Sequence, residues 1–201
     1  MFQKLLVSFA LTAAVAVAQA QTAPDALVKQ ISTDVLDTVK NDKSIQTGDI
    51  AKITALVDSK VMPSVNFEAA TRSAVGPQWR SASPEQRTKL MSEFKALLLR
   101  LYSGALTQVK DQTVEITKTL PVSGSTQVIV QSEVRGKGEP IKLDYRLDKP
   151  ADATAWKIID VNVGGIWLVQ NYRAQFATEI TKGGIDGLIA ALVERNKAAA
   201  K

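Results

Sequence analysis

The chain has 201 residues, 25 Lys and Arg against 20 Asp and Glu, a formal charge of +5, and neither cysteine nor histidine. Without histidine there is no Ser-His-Asp or Cys-His nucleophile, no imidazole acid–base chemistry and no ordinary zinc or copper site; without cysteine the core must hold without disulfides. A charge this mildly positive fits a solvated surface with weak attraction to anionic lipid or an acidic partner; no nucleic acid is expected as a partner, because the start of the chain reads as an export signal.

The chain opens with Lys4, an apolar run from Leu5 to Val17 broken only by Ser8 and Thr12, and then Ala18-Gln19-Ala20. This is the layout of a secretory signal peptide over residues 1–20, with an apolar stretch too short for a permanent membrane span. No cysteine stands at the cleavage site, so lipoprotein processing is not expected. Residues 21–201 are long enough for a single domain with its own core.

Helical spacing begins at once. Leu27, Val28, Ile31, Val35 and Val39 predict a helix over 26–39, and Ile50, Ile53, Leu56, Val57 and Val61 a second over 50–61, with Asp49 as its cap and Pro63 beyond it. Asn66 caps a short helix from Phe67 that Gly76-Pro77 stops. Ser83-Pro84-Glu85-Gln86 then sets a capping box with proline at the first helical position, where its missing N–H costs nothing. Leu90, Phe94, Leu97, Leu98, Leu101 and Ala105 make the apolar stripe of the helix that follows.

After Asp111 the period changes to two. Val114 and Ile116 alternate with polar residues, Ser123-Gly124-Ser125 makes a turn, and Val128–Val134 reads as a strand. Gly136 to Pro140 marks a hairpin into Ile141, Leu143, Tyr145 and Leu147, which alternate with Lys142, Asp144, Arg146 and Asp148 as in a strand with one wet face. Trp156 to Val163 is a fourth strand. Gly164-Gly165 is expected to end it and to start a helix whose face carries Leu168, Tyr172, Phe176 and Ile180; Gly183-Gly184 breaks that helix before a last one over Ile185 to Val193. Helices, four meandering antiparallel strands and helices again give an α+β fold.

Catalytic signals are absent. Acid–base work would fall to carboxylates, Tyr or Lys, and no spacing singles out a pair among Glu133, Asp144, Asp160 and Tyr145. Ser123-Gly124-Ser125 lacks the flanks of a nucleophile elbow, and there is no phosphate-cradling glycine motif or calcium loop. The apolar surplus on the strands and on the helices over 83–109 and 166–180 fits a filled core or a cavity for an apolar guest, and periodicity alone does not separate the two.

Several motifs in register carry a resemblance. Val61-x-Pro63-x-x-Asn66-Phe67, Gly76-x-x-Trp79-Arg80, Ser83-Pro84-Glu85-Gln86-Arg87 with Phe94, Leu97, Leu98 and Tyr102, Trp156-Lys157-x-x-Asp160-Val161, Gly165-x-x-Leu168-Val169-x-Asn171-Tyr172-Arg173-x-Gln175-Phe176 and Gly184-Ile185-Asp186-x-Leu188-Ile189 follow one another between about Val57 and Leu192. Together they resemble the MlaC family of periplasmic phospholipid-transport, or toluene-tolerance, proteins. Asn66 stands where that family often has Asp, and Gly164 and Trp167 depart from its pattern, which makes Trp167 a candidate to reshape a pocket wall or a partner surface.

The resemblance implies an exported carrier without catalytic residues, metal or cofactor, with bound phospholipid as its cargo. It implies helices wrapped around a curved four-stranded antiparallel sheet, a nuclear-transport-factor-like cone with an internal apolar cavity. It also implies two docking partners: an outer-membrane lipoprotein–porin complex, and an inner-membrane ABC transporter with a lipid-binding substrate component. Chosen from apolar faces, the candidate tail contacts are Leu97, Leu101, Val130, Leu143, Tyr145, Ile158, Val161, Val163, Leu168, Tyr172 and Phe176, with Arg173 as a weaker candidate at the mouth. Two alternatives stay open: a secreted adaptor with a packed core, and an enzyme on a conical scaffold using Tyr145 and a carboxylate on an apolar substrate.

Overall fold

The computed structural model describes residues 22–198, so the candidate signal peptide lies outside the described residues. Helix α1 spans Pro24–Asn41, with Pro24 in the first turn, and a single turn, α2 (Lys43–Gln46), follows. Asp49 caps α3 (Ile50–Leu56) by accepting from Ala51 and Lys52 N–H. The helix expected to run on to Val61 changes form at Val57. Val57–Val61 is a π turn and Met62–Ser64 a 3-10 turn, because Pro63 offers no N–H to continue the ladder.

Asn66 caps α4 (Phe67–Val75) through Ala69 N–H at 3.0 Å. The capping box forms as the sequence requires: Gln86 N–H donates to Ser83 Oγ at 3.2 Å and Ser83 N–H to Gln86 Oε1 at 2.9 Å, opening α5 (Pro84–Leu106).

The sheet has five strands where four were expected: β1 (Thr113–Pro121), β2 (Gln127–Arg135), β3 (Ile141–Asp148), β4 (Lys157–Val163) and β5 (Ile166–Trp167), each antiparallel to the next and joined in chain order. The extra strand corrects the expectation that Gly164-Gly165 leads straight into a helix. Both glycines have positive φ, 58° and 94°, and form a two-residue hairpin that returns Ile166 and Trp167 against Val163 and Asn162. Only then does α6 (Leu168–Ala198) begin, and its helical geometry is interrupted at Gly183 and Gly184. Two irregularities bend the curved sheet: Thr117 is the extra residue of β1, and Ile159 that of β4.

Three apolar clusters hold these elements. Leu36, Ile45, Ile53, Val109 and Val114 join α1, α2 and α3 to the end of α5 and to β1. Val28, Val130, Leu147 and Ile158 fill the space between α1 and the sheet. Trp79, Leu90, Phe94, Tyr172, Phe176 and Leu188 bind α4 and α5 to both halves of α6. The space where the three meet is left open.

Candidate functional site

That space is a cavity of about 520 Å³, within the range of about 300–1,000 Å³ usual for sites that enclose an organic ligand. Its walls draw on all three clusters: Leu36, Ile53 and Val109 from the first, Tyr145 and Ile158 from the second, Phe94 and Leu168 from the third. The lining is almost wholly apolar, and its few polar groups are occupied. Lys95 contributes its stem while its ammonium pairs with Asp58 at 2.8 Å. The Tyr145 hydroxyl lies 3.4 Å from Ser32 Oγ, and burial raises its pKa above the ordinary value of 10.0.

Asp160 sits at the bulge of β4, where its carboxylate accepts from Val161 N–H at 2.8 Å and from Val169 N–H at 3.0 Å. Burial lifts its pKa even so, against those two donors and the Arg146 guanidinium. Neither Tyr145 nor Asp160 is poised as a proton-transfer pair: one contacts a serine and the other is bound to backbone. Among the described residues no cluster of Asp and Glu is arranged to hold a metal ion.

The cavity opens along the C-terminal half of α5, the turn that follows it and the start of β3. The exposed members of its lining, Tyr102, Ala105, Gln108 and Ile141, all lie there.

Of the eleven apolar candidates chosen from the sequence, Leu143, Tyr145, Ile158, Val161, Val163 and Leu168 lie on the cavity wall. The other five lie elsewhere. Leu97 points from α5 toward α6 and is buried in the cluster with Phe94 and Phe176. Tyr172 and Phe176 flank the Phe94 ring edge-on, at 4.9 Å and 5.1 Å between centroids, and so form aromatic core. Val130 is fully buried beneath α1. Leu101 is 57% exposed on α5 and is not part of the lining. Arg173 is exposed beside Gly76, at the end of α4, and is not part of the lining.

Trp167, the other position singled out, does not reach the wall. Its ring lies 4.7 Å beneath the Arg146 guanidinium; Arg146 alternates with the inward-facing Tyr145 and Leu147, so the pair occupies the opposite face of the sheet.

Sequence reasoning missed the contribution of the front helices, the π turn and the second face of α5. Ile53, Val57, Val61 and Met62 wall one side, and Leu98, Leu99, Leu106 and Val109 another. The signal was present in α5: Leu97, Leu98 and Leu99 in succession make that helix apolar over two faces, one more than a helix packed on a single neighbour requires.

Residues 29–194 match the family described as MlaC protein. The chain belongs to the MlaC family. Among MlaC relatives, it is 26% identical over 188 residues to the intermembrane phospholipid transport system binding protein MlaC of Haemophilus influenzae, covering 92% of this chain and 88% of that one. It is 25% identical over 168 residues to the toluene tolerance protein ttg2D of Pseudomonas putida, covering 83% of this chain and 77% of that one. Among solved structures it is similar to the phospholipid-binding protein of Ralstonia solanacearum, determined in complex with a phospholipid. The TM-score is 0.83 and the identity 41%, over 90% of this chain and 100% of that one. No helix among the described residues of this MlaC chain is long and apolar enough to cross a membrane.

Proposed function

We propose that this protein is a phospholipid carrier of the bacterial periplasm. It encloses the acyl chains of its cargo in the cavity and leaves the headgroup at the mouth between α5 and β3. The observation that carries the reading is the enclosed apolar space itself, walled by Leu143, Tyr145, Ile158, Val161, Val163 and Leu168 and sharing its fold with a structure determined in complex with a phospholipid. Each acyl CH₂ held away from water is worth about 0.8 kcal/mol, so two long chains have a transfer cost on the order of 20 kcal/mol that a dry cavity removes. Lipid then moves between cavity and bilayer near balance, and contact with a membrane complex decides the direction.

Residues 1–20 direct export and residues 21–201 act as one lipid-binding domain. The carrier exchanges lipid with an outer-membrane lipoprotein–porin complex and with an inner-membrane ABC transporter bearing a lipid-binding component, and so supports the lipid asymmetry of the outer membrane. No reaction is catalysed on this chain.

Organic extraction of the purified mature protein, followed by mass spectrometry, tests the reading. Two-chain phospholipid in stoichiometric amount is the expected result. A clean extract from a folded sample overturns it in favour of an adaptor with a closed core, and steady accumulation of cleaved lipid overturns it in favour of an enzyme.

A further inference from the structure

The carrier reading leaves open how long a tail the cavity takes. Its lining has an open end and a closed one. The exposed lining residues, Tyr102, Ala105, Gln108 and Ile141, all lie along the mouth. At the other end the lining stops on Phe94, the first residue of α5 to reach it, with Phe67 and Ala70 of α4 beside it. Phe94 and Ala70 are buried, and the largest of the three apolar clusters stands behind them. The Phe94 ring is wedged in place. It stacks on Phe67 at 5.7 Å and meets Tyr172 and Phe176 edge-on at 4.9 Å and 5.1 Å, so the cavity ends on a packed aromatic plug.

Two elements measure the depth independently. On α5 the lining runs from Phe94 to Leu106, twelve residues apart and about 18 Å along the helix. On the sheet it runs from Ile141 to Ile158. Ile158 stands opposite Leu147, which lies six residues and about 20 Å along β3 from Ile141. Ile158 belongs to the closed end, since it bridges to Val65, two residues before Phe67. Half the hydrocarbon core of a bilayer is about 15 Å deep. The cavity therefore has room for a tail of ordinary bilayer length, extended along α5, and for little more.

We infer that Phe94 and Ala70 form a floor that limits the length of acyl tail the carrier encloses. The inference rests on the carrier reading and adds a substrate preference to it. Phospholipids with tails of bilayer length are held in full, and longer tails leave methylenes outside the mouth. A bilayer keeps every methylene of a longer tail dry, whereas the cavity leaves the surplus in water. Each surplus methylene thus shifts the partition toward the bilayer about fourfold. Ala70 has the smallest side chain at the closed end, so a larger one there raises the floor.

The test equilibrates the mature protein with fluid vesicles that carry, as minor components, a series of phosphatidylcholines with about 12 to about 22 carbons per tail. Mass spectrometry of the re-isolated protein and of the vesicles gives the partition at each length. For the wild type it is expected to stay level for short tails, to break near ordinary bilayer lengths, and to fall about tenfold or more for each two-carbon step beyond the break. Ala70→Leu should move the break to shorter tails by at least one step of the series, and Phe94→Leu should move it to longer ones. Leu188→Ala, in the same cluster but outside the lining, controls for loosened packing and should leave the break at the wild-type length.

A partition that stays level across the whole series, or that falls smoothly without a break, overturns the inference. So does a break that Ala70→Leu leaves in place, or one that Leu188→Ala moves as far as Phe94→Leu does. If Phe94→Leu does not fold, the direction of the Ala70→Leu shift decides alone. A wild type that takes up phospholipid of no length tells against the carrier reading itself, and the floor falls with it.

Discussion

The carboxylate of Asp160 accepts a hydrogen bond from the backbone N–H of Val169 at 3.0 Å, across the junction between β4 and the first turn of α6. A second bond, from Val161 N–H at 2.8 Å, fixes the carboxylate on its own strand. One side chain therefore ties the first turn of α6 to β4, beside Leu168 and Val169 on the cavity wall. Asp160→Ala leaves both N–H groups without that acceptor and should cost about 1–3 kcal/mol in denaturant unfolding. Asp160→Asn keeps one oxygen acceptor and should cost less.

Acid titration separates Asp160 from Glu93, because their shifts have opposite sign. Burial raises the folded pKa of Asp160 above its ordinary value of 3.8, so the folded state binds that proton more readily than the unfolded chain. Ionised Asp160 thus carries a stability cost at neutral pH. As pH falls through the raised folded value toward 3.8 that cost disappears, and the wild type should gain stability relative to Asp160→Asn.

Glu93 runs the other way. The Lys89 ammonium at 2.8 Å, followed by the Asn196 amide at 2.7 Å, holds its carboxyl below the ordinary 4.5. Its contribution is present above 4.5 and is lost as pH falls through the folded value. The advantage of the wild type over Glu93→Gln should shrink in that window. Unfolding curves of the two variants across acid pH check both directions.

Wall and core should respond differently to substitution. Phe176 is fully buried against Phe94 and Tyr172, so Phe176→Ala should lower stability by about 3–5 kcal/mol with an unfolding transition to match. Leu143 is half-buried on the cavity wall. Leu143→Glu should abolish retained lipid while the circular dichroism spectrum is kept. If that variant simply unfolds, Leu143 belongs to the core.

The interruption of α6 rests on one of its two glycines. Gly184 has φ 65° and ψ −158°, a region essentially confined to glycine, whereas Gly183, at φ −146° and ψ 18°, lies where other residues go. No atom outside the local chain lies within 4 Å of a Cβ built at either position, so crowding does not enter. Gly184→Ala should cost about 1–3 kcal/mol and Gly183→Ala within about 0.5 kcal/mol, measured by thermal unfolding.

Local chemistry is legible in the residues themselves. Ser83 and Gln86 announce the start of α5, Asn66 that of α4, and the alternation from Ile141 to Leu147 a strand with one wet face, because caps and periodicities act over a few residues. The pair Gly164-Gly165 marks a sharp turn but not its destination. A two-residue hairpin and a strand-to-helix turn ask the same of glycine, and only the partner strand distinguishes them. The π turn at Val57 is hidden for a similar reason, since Ile53, Leu56, Val57 and Val61 satisfy helical spacing whether or not the hydrogen bonds slip by one.

By itself the sequence determined which faces are apolar, where most helices and strands begin, and through its motifs the family. It did not determine which apolar faces meet each other and which meet empty space. Leu143 and Val130 have the same chemistry on adjacent strands, yet one lines the cavity and the other lies buried beneath α1. A side chain is drawn out of water equally by a neighbour or by a sheltered void, so composition and period carry no mark of the difference. The long-range placement of α1, α5 and α6 around the sheet leaves the gap, and that placement exists only in the folded chain.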